Sequence, residues 1–259
     1  MCNDVIVKIN NLKKTYENRE VLKGINLEIK KGDVIGYIGT NGAGKSTTVK
    51  ILLGLIADYE GEIEIFGENI KDNNNYKKYI GYVPEISDMY DVLTPKEYFL
   101  FIGRLYGLEE HIIEKKAKAM LKVFFIEESY NSRISSFSKG MRQKILIIES
   151  MIHNPSLLIF DEPLTGLDAN SVVIFKEILN SLSKRGKTIF YSSHIMDVVE
   201  KVSNRIVLLD DGMIIADGSF EDLIEQSKEL SLENIFNKLT GFNKHEELTE
   251  DFISILENE

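Results

Sequence analysis

Residues 39–46 read Gly-Thr-Asn-Gly-Ala-Gly-Lys-Ser, and this stretch constrains the fold more than any other in the chain. It follows the pattern G-x-x-x-x-G-K-S, in which glycines let the backbone curl so that successive N–H groups point inward at an anion. Residues 33–38 before it predict a buried strand, and residues 47–53 after it predict a helix. A strand, a tight loop and a helix N-terminus in this order predict a phosphate-binding site.

The same stretch predicts how a nucleotide would be held. In a loop of this kind Lys45 reaches the β- and γ-phosphates, and the Ser46 hydroxyl ligates Mg²⁺. The alternative is a glycine-rich turn without a ligand, and the flanking strand and helix favour the phosphate site. The candidate ligands are the loop residues and the one that follows: Gly39, Thr40, Asn41, Gly42, Ala43, Gly44, Lys45, Ser46 and Thr47.

Composition limits the remaining function classes. The chain has 259 residues, 43% hydrophobic and 28% charged, as expected for one large globular domain or one domain with appendages. We expect a cytosolic protein, because we find no signal peptide, no membrane span and a single cysteine, Cys2. The net charge of −10 argues against nucleic acid as a partner. Residues 221–259 hold eleven acidic residues against three lysines, so eight of those ten charges lie there.

The order of predicted elements indicates an α/β protein. Residues 5–29 and 61–67 alternate as antiparallel strands do, whereas the region from Thr94 to Ile152 reads as helices. Strands at 156–160, 187–192 and 205–209 alternate with helices, which is typical of a parallel sheet. From about Ser219 the chain reads as an acidic helical tail, with these apolar residues expected to dock it: Leu223, Leu230, Ile235, Phe236 and Leu239.

Two carboxylates end the apolar strand at 157–160. A phosphate-loop enzyme needs an acid on a neighbouring strand end to hold Mg²⁺, and Asp161 fits that role. Glu162 is the next residue and could accept the proton of an attacking water. Two acids at a strand end also suit a solvated turn, so the prediction depends on the downstream residues Pro163, Gly166, Leu167 and Asp168.

With these motifs in this order, the chain resembles the ATP-binding subunits of ABC transporters from about Val5 to Gly218. Tyr16 matches the aromatic residue that stacks on adenine, and residues 81–85, ending in Glu85, match the glutamine loop. Residues 137–143 match the signature motif, which contains Ser138 and Gly140. Asp168 matches the aspartate loop at the subunit interface, and His194 matches the histidine that contacts the γ-phosphate.

The resemblance implies a P-loop NTPase core with a mainly parallel sheet. It also implies an N-terminal antiparallel β subdomain and an inserted α-helical subdomain at about residues 86–153. The cassette would span residues 1–220, and residues 221–259 would form the acidic helical tail.

It further implies hydrolysis of ATP by water, with Mg²⁺ held by Ser46, Glu85 and Asp161. Glu162 would be the base, assisted by His194 and Lys45. A second ATPase subunit would contribute Ser138 and Gly140 across a head-to-tail dimer. The implied partner is an integral membrane transporter subunit, which would hold the chain at the inner face of the cell membrane. The variant signature favours export.

Several alternatives stay open at this point. Ser138 also suits a helix cap, Tyr16 a surface aromatic, and His194 a core or capping histidine. The chain departs from the family pattern at Glu85, where the family has Gln, and at Lys139 and Met141, where it usually has Gly and Gln. An ATP-binding regulatory subunit with little turnover and a soluble ABC ATPase without a transport role are therefore the alternative functions.

Overall fold

The computed structural model describes residues 4–86, 88–241, 249 and 252–256. The strands are β1 Val5–Tyr16, β2 Arg19–Lys30, β3 Val34–Gly39, β4 Glu60–Ile65, β5 Glu68–Asn69, β6 Ile80–Val83, β7 Leu157–Asp161, β8 Thr188–Ser193, β9 Arg205–Asp210 and β10 Met213–Gly218. The helices with described bounds are α1 Lys45–Leu52, α2 Pro95–Leu105, α3 Glu110–Val123, α4 Lys139–Ile152, α5 Ala169–Lys184, α6 Met196–Val202, α7 Phe220–Ser227 and α8 Leu232–Thr240.

The strands form two sheets of different kinds. The first is antiparallel, with the order β2-β1-β4-β5. The second has the order β10-β9-β3-β8-β7-β6, and every neighbouring pair in it except β10 and β9 is parallel. The predicted α/β class, with a mainly parallel sheet beside an N-terminal antiparallel sheet, is confirmed.

Strand β3 packs against a different group of residues on each face of the mainly parallel sheet. All six of its residues are buried, as expected for a central parallel strand covered on both faces. Because side chains alternate across a strand, Ile35 and Tyr37 pack against the antiparallel sheet and α1. Val34 and Ile38 pack on the opposite face, within the core that the later helices cover. The phosphate loop thus follows directly after a strand that is packed on both of its faces.

The helices α2, α3 and α4 lie in the chain between β6 and β7. α2 begins as its sequence predicts, with Thr94 as N-cap: the Glu97 N–H donates to Thr94 Oγ1 at 3.2 Å, and the Thr94 N–H donates to Glu97 Oε2 at 2.8 Å. Buried apolar side chains such as Phe99, Ile113 and Ile148 join the three helices to the main core. No strand occurs between residues 95 and 152.

The C-terminal helices correct part of the prediction for the tail. Leu223, Ile235 and Phe236 are buried and belong to the main core, so α7 and α8 pack against their own chain. The predicted docking roles of Leu230 and Leu239 are wrong, because their surfaces are 85% and 45% exposed. Leu230 lies in the turn between the two helices, and Leu239 lies in the last turn of α8. Within the described ranges, no helix is both long and apolar enough to cross a bilayer.

Candidate nucleotide site

A cavity of about 550 Å³ opens at the carboxyl ends of β3, β7 and β8. This volume falls within the range of small-molecule sites, and sheet edges of this kind are where α/β proteins bind ligands. Apart from Arg19 and Val21, all of its lining residues are among the candidates from the sequence. They are Arg19, Val21, Asn41, Gly42, Gly44, Lys45, Ser46, Thr47, Glu85, Asp161, Glu162 and His194.

The loop geometry explains its glycines. Gly44 has a φ of +108°, which L-residues with a side chain rarely adopt. A Cβ on Gly39 would lie 2.3 Å from the carbonyl oxygen of Leu209. α1 begins directly at Lys45, and its N-cap, Gly44, has no side chain to satisfy the first N–H groups. The positive end of the helix therefore faces the cavity without a cap of its own, as an anion site requires.

The Lys45 ammonium lies across this loop. Its Nζ donates to the carbonyl oxygens of Gly39 and Thr40, at 2.8 and 3.2 Å. Burial lowers the pKa of Lys45 below its ordinary value, and the negative charges of Glu162, Asp161 and Glu85 partly oppose that shift. The ammonium is thus a partly desolvated cation at the wall of the cavity, where a bound phosphate would offer it a charged acceptor in place of the loop carbonyls.

Glu162 is fixed by residues of the neighbouring strand. Its φ of +50° lies in the left-handed region, an uncommon conformation for a residue other than glycine that is concentrated at functional sites. The Glu162 N–H donates to the carbonyl oxygen of Ser192 at 3.1 Å. Ser193 Oγ donates to Oε2 at 3.2 Å, and His194 Nδ1 lies 2.7 Å from Oε1. The carboxylate therefore has a defined orientation toward the cavity.

The donor set around Asp161 suits Mg²⁺. Asp161 is buried at the end of β7, accepts a hydrogen bond from the Ser192 hydroxyl, and lines the same cavity as Ser46 and Glu85. Among the described residues no cluster of three or more His, Cys, Asp or Glu side chains is arranged to hold a metal. Mg²⁺ bound with a nucleotide takes only one or two protein ligands, with phosphate and water supplying the rest, so the residues present fit it.

The other candidates lie outside this lining. Tyr16 ends β1, is 43% exposed, and has the Lys14 ammonium 4.8 Å from its ring centroid. Ala43 is buried, and its N–H donates to the carbonyl oxygen of Thr40 within the loop. Gly39 forms the end of β3.

Ser138 and Gly140 lie at the start of α4 rather than in the cavity. Ser138 is the N-cap, and its Oγ accepts from the Met141 N–H at 3.2 Å. A Cβ on Gly140 would lie 2.4 Å from the carbonyl oxygen of Gly166. The Gln143 side chain donates to the carbonyl oxygen of Pro163 at 2.9 Å. The start of α4 is therefore packed against the loop that follows Glu162.

Asp168 ends that loop and joins two helices. It caps α5 by accepting from the Ser171 N–H at 3.0 Å and from the Ser171 hydroxyl at 2.7 Å. The Lys144 ammonium, which is almost fully buried, lies 2.8 Å from its Oδ2. The hydrogen bonds from Lys144 and Ser171 lower the pKa of Asp168 far below its ordinary value. Asp168 therefore has a structural role within the chain.

We expect Asp168→Ala to lower the free energy of unfolding at pH 7 by about 1–2 kcal/mol, because a helix cap and the counter-ion of Lys144 are lost. Since the folded pKa lies below the ordinary 3.8, the contribution is present above that value and shrinks as the pH falls toward the folded pKa. Urea unfolding at pH 7 and pH 3 measures both effects. Glu177→Ala, at an exposed position of α5, is the control; equal stabilities of the two variants would contradict the assignment.

Sequence reasoning missed several residues of the site. Arg19 and Val21 line the cavity because the β1–β2 hairpin brings them beside the phosphate loop. In the sequence, only their position shortly after Tyr16 indicates that they could belong to the site. Ser192 and Ser193 hold the two carboxylates because β8 pairs in parallel with β7 and sets Ser192 opposite Asp161.

Comparison with known proteins identifies the family. The family model described as "ABC transporter" matches residues 22–165, more than half of the chain. The chain belongs to the ABC transporter family. Similar curated relatives are the ABC transporter ATP-binding protein NatA of Bacillus subtilis (strain 168), 37% identical over 84% of this chain and 89% of NatA, and the Nod factor export ATP-binding protein I of Rhizobium etli, 32% identical over 85% and 70%.

Solved ABC structures agree with this family and with its fold. An ATP-binding subunit of an ABC transporter superposes with a TM-score of 0.86 at 32% identity, covering 91% of this chain and 99% of that one. The cassette MJ0796, in a dimeric post-hydrolysis state with ADP and Pi, superposes with a TM-score of 0.76 at 27% identity, covering 83% and 98%. The chain is thus an ATP-binding, ATP-hydrolysing subunit of the ABC transporter type, as its motifs predict.

Proposed function

We propose that this chain hydrolyses Mg·ATP in the cavity described above and so powers export through a separate membrane-spanning partner. The observation that carries the proposal is the arrangement of Glu162 and Lys45, which line one cavity from the segments that follow β7 and β3, on either side of β8. The name of the Rhizobium relative, a Nod factor export protein, supports the outward direction.

The proposed roles follow from the positions of the side chains. Lys45 and the N–H groups of residues 39–47 bind the phosphates, and Tyr16 stacks on the adenine. Ser46, Asp161 and Glu85 hold Mg²⁺, which neutralises charge on the phosphates. Glu162 accepts the proton of the attacking water. His194, within hydrogen-bond distance of Glu162, orients that carboxylate and contacts the γ-phosphate.

A second ATPase subunit is proposed to complete the site. Its Ser138 and Gly140, at the start of α4, would contact the γ-phosphate, and the dimeric form of the related cassette MJ0796 supports this arrangement. Within each subunit, the contact of Gly140 with Gly166 couples the start of α4 to the loop after Glu162. Closure of the dimer would therefore change the position of the loop that follows Glu162, the proposed base.

The proposed organisation places residues 1–220 in the cassette, with residues 86–153 as its helical part and residues 221–259 as an acidic tail. We place the chain in the cytoplasm, at the inner face of the cell membrane, because the partner subunit would hold it there. Nucleic acid is not among the proposed partners.

The test is capture of the complex followed by transport. The tagged chain is purified from solubilised membranes of its own cells, and the membrane protein that co-purifies is identified and co-expressed with it. We expect a complex whose ATPase activity exceeds that of the chain alone and which moves cargo in inside-out vesicles. Failure to form a complex with any membrane protein of the cell would contradict the transport function.

A second candidate function is supported by one observation. Glu85 adds a third carboxylate beside Lys45, which raises the negative charge where phosphates bind. An ATP-binding regulatory subunit with little turnover would tolerate this. The turnover number of the captured complex separates the two: release of no more phosphate than one equivalent per subunit supports regulation.

A further inference from the structure

Two of the departures from the family pattern carry opposite charges. Glu85 stands where the family has Gln, and Lys139 stands where it usually has Gly. Both side chains are exposed, and neither forms an ion pair or a side-chain hydrogen bond with another residue that the structure describes. Both charges are therefore available to a group outside the isolated chain.

Glu85 adds negative charge to the nucleotide cavity. Its carboxylate acts on the Lys45 ammonium, where it opposes the lowering of the pKa that burial causes. Three carboxylates line the cavity, against one arginine and one lysine. They are Glu85, Asp161 and Glu162, against Arg19 and Lys45. Because Mg·ATP is itself an anion, the half of the site that one chain supplies has an excess of negative charge.

Lys139 lies in the first turn of α4, between Ser138 and Gly140, which are proposed to enter the site of a second subunit. A Cβ on Gly166 would lie 3.2 Å from its Cγ and 3.4 Å from its Cδ, so the aliphatic part of Lys139 rests on the loop that follows Glu162. The positive end of a helix dipole disfavours a cation. The ammonium is therefore unfavourable in the isolated chain unless an anion approaches it.

We propose that Lys139 of one subunit forms an ion pair with Glu85 of the other when two copies of this chain close on Mg·ATP. The inference rests on the proposed function, since it presumes the head-to-tail dimer. In that dimer Ser138 and Gly140 approach the γ-phosphate of the opposite site, and Lys139 lies between them in the sequence. Because the dimer has two equivalent sites, the pair occurs twice.

The pairing compensates the charge of each residue. A carboxylate has two oxygens, so Glu85 can serve the proposed Mg²⁺ site and also accept from an ammonium. Glutamine at position 85 would present no charge to a lysine, and glycine at position 139 would present no cation. Close charge pairs at interfaces, where water is partly excluded, couple more strongly than exposed pairs on one surface. The competing partner for Lys139 is the γ-phosphate itself.

A double-mutant cycle distinguishes these two partners. The measured quantity is the dissociation constant of the dimer with Mg·ATP, obtained by sedimentation equilibrium in chains that carry Glu162→Gln to keep ATP intact. We expect Lys139→Gln to weaken the dimer about 30-fold, because two ion pairs are lost. In chains that also carry Glu85→Gln, the same substitution should change the constant by no more than about threefold.

The controls test charge and folding. Lys139→Arg keeps the cation and should retain most of the affinity between subunits. Lys122→Gln, at an exposed position in the last turn of α3, is the matched control and should leave the dimer unchanged. Lys139 does not line the cavity of its own chain, so Lys139→Gln should leave ATP binding by the monomer unchanged. Thermal unfolding of each variant checks that it folds.

Carbodiimide cross-linking tests the contact directly. The reagent activates a carboxylate, and a lysine amine in contact with it displaces the activating group and forms an amide. With Mg·ATP we expect a covalent dimer whose digest joins the peptides that contain residues 85 and 139. Glu85→Gln and Lys139→Gln should each abolish this product. The same cross-link in monomeric protein without nucleotide would show a contact within one chain and overturn the inference.

The outcomes separate the ion pair from the dimer on which it depends. If Glu162→Gln stays monomeric with ATP, the composite site fails and the inference fails with it. If dimers form and Lys139→Gln weakens them equally with Glu85 or Gln at position 85, the lysine contacts phosphate. The composite site then stands and the ion pair is overturned. An unchanged dimer in Lys139→Gln would overturn the ion pair as well.

Discussion

Replacing Glu162 with Gln is expected to lower the rate of ATP hydrolysis by about 10²–10⁴-fold while ATP remains bound. The amide has the size of the carboxylate, and its single oxygen can still accept from Ser193 or from His194. It cannot take up a proton from water, so the chemical step loses its base. Phosphate release at saturating Mg·ATP measures the rate, and equilibrium titration measures binding.

The same variant should also change the oligomeric state. If hydrolysis separates the proposed dimer, Glu162→Gln with ATP should sediment as a dimer, whereas the unsubstituted chain with ATP should return to monomer. Glu177→Gln, on the exposed face of α5, serves as the control and should behave as the unsubstituted chain. Hydrolysis by Glu162→Gln at the unsubstituted rate would remove Glu162 from the role of base.

Lys45→Ala is expected to reduce hydrolysis by about 10³-fold or more, because the cation that stabilises charge on the transferring phosphoryl group is lost. Nucleotide affinity should fall by about 10–100-fold, the loss expected for charge-assisted hydrogen bonds to phosphate. Titration with a fluorescent ATP analogue gives the affinity.

Lys50→Ala is the matched control for Lys45. Lys50 lies in the last turn of the same helix, is exposed, and is not among the residues that line the cavity. We expect it to leave both affinity and turnover within about twofold, since surface substitutions of this kind cost little. Equal losses in both variants would attribute the effect of Lys45→Ala to damage to α1, and thermal unfolding would reveal that damage.

Local sequence was sufficient for most of the fold. The mainly apolar runs within β3, β7 and β8 predict central parallel strands, and the Thr94–Glu97 cap predicts the start of α2. Leu230 and Leu239 show the limit of such patterns. Helical periodicity indicates which side of a segment is apolar. It does not say how far along the segment the rest of the protein covers that side.

The site was predictable where its residues are contiguous in sequence or stand at the end of a strand. The loop residues follow from one motif, and Asp161 and Glu162 follow from the end of an apolar strand. Arg19 enters the cavity only through the fold of a hairpin, and the hydroxyl of Ser193 reaches Glu162 only through pairing of β7 with β8.

The strand order has a consequence for synthesis of the chain. β3 lies between β8 and β9, which are translated about 150 residues after it, whereas β1 and β2 pair as an immediate hairpin. At about 5–20 residues per second, the nascent chain carries this unpaired strand, all of which is buried in the folded protein, for roughly 8–30 s. Because the carboxylates of β7 and the serines of β8 also emerge late, ATP finds a completed site only on a nearly finished polypeptide. Nucleotide binding thus requires translation at least as far as His194, and β3 is the strand that waits longest for its partners and is open to chaperones meanwhile.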